Sequence, residues 1–99
     1  MPIVGAIGHE SVTVSTVAVG VTTTVLKGVL PAAAQITVET ASIRYCVDGT
    51  TATASVGHRA DPGDVIELSD RGEVTNFSAI RKDGTDATLK VTHGADWRP

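Results

Sequence analysis

Nucleophilic, acid–base or metal chemistry in this chain would have to come from His9, His58, His93, Cys46 and seven Asp. Four of those Asp, at 48, 61, 64 and 83, stand in turn motifs. None of the set is spaced as a catalytic constellation, in which a nucleophile or base needs an orienting partner. Cys46, between Tyr45 and Val47, reads as a small strand residue; a reactive thiol is the alternative, because strand periodicity points Arg44 the same way and a cation stabilises a thiolate. His58 with Asp61 and Asp64 offers one nitrogen and two oxygens to a divalent ion, yet Asp61-Pro62-Gly63-Asp64 is better explained as a turn. The three His read as solvated side chains at strand ends and in loops. One Cys excludes an intramolecular disulfide and a thiolate cage, and no Gly-rich loop precedes a helix to cradle phosphate. The reading is a protein that is not an enzyme and uses neither metal nor cofactor.

The elements that hold these residues are strands. Val, Ile and Thr supply 34 of the 99 residues against four Leu, a balance that favours β structure. At this size folding buries roughly 64% of the unfolded chain's surface, which builds one thin core and no second domain. The formal charge of -3, with both signs mixed along the chain, carries no nucleic-acid footprint and no polybasic membrane patch. Residues 1–9 lack the basic start and apolar run of a secretory signal, and the lone Cys suits a reducing compartment. Synthesis in a cytosol is expected.

Alternation begins at residues 11–15, where Val12 and Val14 share a face, and resumes with switched parity through Val17, Val19 and Val21, as if a bulge fell near Ser15-Thr16. Residues 22–31 form a connecting loop whose Val25, Leu26, Val29 and Leu30 are expected to tuck against the body. Ile36 and Val38 alternate with Thr37 and Glu39; Ile43, Tyr45 and Val47 then share a face before the Asp48-Gly49 turn. Asp61-Pro62-Gly63-Asp64 launches Val65-Ile66-Glu67-Leu68. Asp70 to Glu73 has capping-box spacing, which predicts one helical turn near 70–76 before Phe77 enters the core. Residues 78–81 and 87–92, joined through Asp83-Gly84, read as a closing hairpin. The fold class is all-β: a single small β-sandwich or Ig-like barrel.

The ends either drape over the chain's own sandwich or reach a neighbour, and Trp97 either covers the sheet edge or anchors a partner. Residues 1–10 read as a flexible N-terminal arm, 11–93 as the sandwich and 94–99 as a C-terminal tail. Pro2, Ile3, Val4 and Ile7 precede any ionisable side chain, and Trp97, the sole Trp, follows the last strand; these five are the candidate partner-binding residues. Tyr45 and Phe77 read as core aromatics.

Residues 39–58, ETASIRYCVDGTTATASVGH, resemble a pattern of small structural proteins of tailed bacteriophages, in which a strand reading ETA-IRY runs into a DG turn and a Thr-rich loop. The resemblance extends through the apolar strand at 62–68, residues 77–81 and residues 85–92, and covers about 36–94. It implies a β-sandwich virion component: a head decoration, or cement, protein on the capsid surface that binds and stabilises the assembled major capsid protein, as a homo-oligomer for which a trimer is possible. A neck or tail adaptor is the alternative. The Ile-Arg-Tyr to Asp-Gly segment is also similar to Ig-like appendage domains of secreted glycosidases, which would imply a carbohydrate-binding module, although three aromatics make a poor sugar platform. Position 52 is Ala where both patterns carry Pro.

Overall fold

The computed structural model describes residues 3–97, with side chains over 5–95. Seven strands and one short helix follow in order: β1 (Ile3–Val14), β2 (Ala33–Glu39), β3 (Ile43–Cys46), β4 (His58–Ala60), β5 (Val65–Leu68), α1 (Arg71–Asn76), β6 (Ser78–Arg81) and β7 (Ala87–Trp97). They form two antiparallel sheets, one ordered β1-β7-β2-β5 and the other β4-β3-β6. The protein is a small all-β fold, as its β-branched composition requires.

Two-residue periodicity sets one face of the larger sheet inward. Register places Val12, Leu89 and Val38 in one row, Glu10, Val91, Ile36 and Ile66 in the next, and Gly8, His93, Ala34 and Leu68 in the third. Leu89, Val38, Val91, Ile36, Ala34 and Leu68 are fully buried. The opposite face carries Ser11, Thr13, Gln35, Thr37, Thr88, Lys90 and Thr92, the polar half of the same alternation.

The smaller sheet is too short to cover all three rows. Ile43, Ala60 and Ala79 pack from it onto the core, and Tyr45 stacks on buried Phe77 with ring centroids 5.9 Å apart. The third row is closed instead by α1 and by the segment that precedes β2. Helix α1 starts where Asp70 Oδ1 accepts from the Glu73 amide at 2.8 Å and buries Val74. The Glu73 carboxylate reaches back to the amide and hydroxyl of Ser69 rather than to Asp70, so the box closes one residue early.

Four features differ from the sequence reading. Residues 17–21 continue no strand: Val17 is exposed, and contact with β6 is a single bridge between Val19 and Ala79. Asp48-Gly49 turns the chain, with the Thr50 amide on Asp48 Oδ1 at 3.0 Å, but the next strand is β4, after a long loop. The hairpin predicted over 78–92 does not form; β6 pairs with β3, while β7 lies between β1 and β2, so 82–86 crosses from one sheet to the other. The arm and tail are also absent over their described parts. Residues 3–10 belong to β1 and 94–97 to β7, paired from Ile3 opposite Trp97 onward. Each end supplies the hydrogen-bonding partner that the other lacks, which is the physical reason neither hangs free.

Leu89 sits at the centre of the first row with neighbours on both sides. Leu89→Ala is expected to cost about 3 kcal/mol, read as a lowered midpoint in urea unfolding at unchanged slope.

Candidate functional site

Row three holds an unusual occupant. His93 is 1% exposed and is the one buried polar or charged residue among those described. Gly8 on β1 and Ala34 on β2 flank it in register, and their small side chains leave width for the imidazole. Its Nε2 lies 2.5 Å from Glu10 Oε2, which also accepts the Thr22 amide at 2.9 Å. Nδ1 is buried without a partner. Nε2–H is therefore the donor toward the carboxylate. Burial pushes the Glu10 carboxyl up, but the hydrogen bonds from His93 and Thr22 outweigh it and hold the group below the ordinary carboxylate value.

That carboxylate fastens one stem of the loop over residues 22–32. Arg71, at the start of α1, fastens both stems: Nη2 donates to the Thr23 carbonyl at 2.7 Å and Nη1 to the Pro31 carbonyl at 2.9 Å. The Ala32 amide donates to the Gly94 carbonyl at 3.1 Å, and Pro31 is fully buried. An eleven-residue excursion with tied ends is an Ω-like loop. At its tip Leu26 and Val29 exchange two backbone hydrogen bonds across Lys27 and Gly28, whose φ values of 50° and 79° are both positive, as the primed hairpin turn demands.

The tip does not tuck in as its composition predicts. Val25 is 56% exposed, Leu30 52% and Val29 38%, while Leu26 turns under the loop so that a Cβ at Gly8 would lie 3.1 Å from its Cδ1. With the stems tied by Glu10 and Arg71, Val25, Val29 and Leu30 stand exposed around the turn. An anchored base thus carries an aliphatic tip with Lys27 as its one charge.

The other candidate residues go elsewhere. Cys46 is buried and free on β3, and Arg44, on the same face, donates to the Gly57 carbonyl at 3.3 Å. An open groove of about 280 Å³ runs beside it, lined by Cys46, Asp48, Thr50, Val56, Gly57 and His58. Asp61 and Asp64 are occupied by the turn: Asp61 accepts from Ser42 Oγ at 2.6 Å and from Arg59 Nε at 2.8 Å, and Asp64 Oδ2 takes the Asp61 amide. Ser42 first and Arg59 second hold the Asp61 carboxyl below its usual value. His58 packs at 5.5 Å from the Tyr45 ring instead of joining them, and no three ligands converge on a metal position among the described residues. His9 is exposed, near Thr92, whereas His93 is buried, contrary to the solvated role expected of all three.

Of the five proposed contact residues, Ile7 is buried in the bulged stretch of β1, where the register shifts between Ala6 and Gly8. Ile3, Val4 and Trp97 are placed only as strand backbone, and Pro2 lies outside the described residues. The residues that sequence reasoning missed are Val25, Val29 and Leu30, together with Glu10, His93 and Arg71 beneath them. Lys27-Gly28 between Leu26 and Val29 was the available signal, a two-residue hairpin turn with Gly in its second position. Comparison with family models, curated proteins and solved structures finds no match to the chain.

Glu10→Ala strips two donors of their acceptor and is expected to cost about 2–3 kcal/mol, whereas Glu10→Gln, which can still accept, costs about 1 kcal/mol. Because the folded carboxyl titrates below its unfolded value, its contribution is whole above the ordinary carboxylate pKa and disappears as pH falls through the lowered one. Thermal melts between pH 6 and pH 2 should therefore show a shallower acid decline for Glu10→Gln than for wild type. Arg71→Ala should free the loop stems and speed trypsin cleavage after Lys27 on the order of tenfold, followed by mass spectrometry.

Proposed function

We propose that this chain is a virion structural protein of a tailed bacteriophage, a head decoration protein that binds and stabilises the assembled shell of the major capsid protein. The observation that carries the reading is the aliphatic tip of the 22–32 loop, exposed at Val25, Val29 and Leu30 while Arg71 and Glu10 hold its stems. Asp48, Asp61, Asp64 and Asp70 are engaged in turns and a helix cap, and Glu10, His93 and Arg71 in this anchorage. The resemblance over 36–94 supplies the virion context, and the tip supplies a contact surface that it did not foresee.

The physical role follows from that surface. A preformed tip loses little conformational entropy on docking, so most of its apolar burial survives as affinity. Three aliphatic side chains present only a few hundred Å², well under a stable isolated interface, and a lattice of many copies makes up the difference. A ligand that binds the assembled shell and not its free subunits opposes disassembly by mass action. The protein is made in the host cytoplasm and resides on the capsid surface, without nucleic acid or membrane in its contacts.

Val25→Ser, Val29→Ser and Leu30→Ser combined should leave the melting temperature within a few degrees and reduce occupancy on undecorated heads at least tenfold, measured by co-sedimentation. Equal occupancy of the triple variant removes the tip from the reading; wild-type binding to tail tubes and not to heads replaces decoration with a tail fitting.

A further inference from the structure

The chain holds two Asp-Gly steps, Asp48-Gly49 and Asp83-Gly84, and the fold treats them differently. At such a step the glycine amide nitrogen can attack the Asp side-chain carboxyl, because no Cβ on the following residue shields it. The N–Cγ bond forms, the carboxyl OH leaves with the amide proton as water, and a five-membered succinimide results. Water then opens the ring at either carbonyl. One opening restores Asp; the other leaves isoaspartate, in which the backbone runs through Cβ and the former main-chain carbonyl becomes the free carboxylate. One water is lost and one regained, so the mass is unchanged. Closure needs a protonated carboxyl and a chain free to fold it onto the next amide.

Asp48-Gly49 is held from both. Asp48 Oδ1 accepts the Thr50 amide at 3.0 Å, and that bond keeps the carboxyl below its usual value and therefore ionised. Gly49, at φ 94°, packs beside Asn76 at the end of α1. Asp83-Gly84 lies instead in the crossover between the two sheets. The Asp83 side chain is 68% exposed, and its ionic contact, Lys82 Nζ, stands 3.6 Å away. Among the described residues the Gly84 amide donates no hydrogen bond, and open space surrounds the Gly84 Cα. We propose that Asp83 is the residue at which this protein isomerises to isoaspartate, while the Asp48-Gly49 turn protects its own step. The added backbone atom falls outside both sheets, beside the Arg81 contacts to the Gly84 carbonyl and to Asp86, so the sheets and the 22–32 loop persist. This modification is independent of shell docking.

Holding the full chain at 37 °C and pH 6 for weeks, then digesting it with a protease that cuts before Asp and not before isoaspartate, tests the assignment. Isomerisation at 83 leaves residues 70–85 joined, and isomerisation at 48 leaves 1–60 joined, each read by mass spectrometry. Position 83 should lose cleavage at least fivefold faster than position 48 in the folded chain. In 6 M guanidinium chloride at the same pH the two rates should converge, because the turn that protects Asp48 is gone. Gly84→Ala fits, since Gly84 lies outside the left-handed region and an added Cβ meets nothing within 4 Å. It should slow the reaction at 83 at least tenfold with the melting temperature within a few degrees of wild type. Equal rates at the two steps of the folded chain, faster loss at 48, or no reaction at 83 while the denatured chain reacts would overturn the proposal.

Discussion

Strand β7 is hydrogen-bonded on both sides, to β1 along Ile3–Val14 and to β2 along Ala33–Glu39. That double commitment governs the rest of the fold. It places Leu89, Val91 and His93 on the inner face of a central strand, where no side chain reaches solvent. It draws the two chain ends together, since the start of β1 meets the end of β7. It also leaves no free side of β7 for β6, so 82–86 crosses to the second layer and β6 joins β3.

A central strand makes a buried His costly unless its donor is satisfied, and here the satisfaction comes diagonally from Glu10, one row away. The carboxylate is positioned by the same register that buries the imidazole. Because its oxygen also takes the Thr22 amide, core and loop share one acceptor. Arg71 acts from the other layer through two carbonyls that lie eight residues apart in sequence. Charged groups are used in this molecule to fix a loop against a core, and the loop's own side chains are free to point outward.

The parts legible in the sequence are those decided locally. Asp61 to Asp64 forms its turn, with Gly63 at φ 94°, and Asp70 caps a six-residue helix ahead of buried Phe77. Alternation correctly marks Ile36, Val38, Ile43, Leu89 and Val91 as core. What stayed hidden depends on partners far away in the chain. His93 is buried because Gly8 and Ala34 flank it, and no local window contains all three. Asp83-Gly84 and Lys27-Gly28 carry comparable turn signals, but only Gly28 takes a positive φ, so only the second closes a tight hairpin. The arm reading failed for a related reason: residues 3–10 are uncharged and apolar for most of their length because they pair with 91–97, and pairing leaves no periodicity to read where a bulge interrupts it.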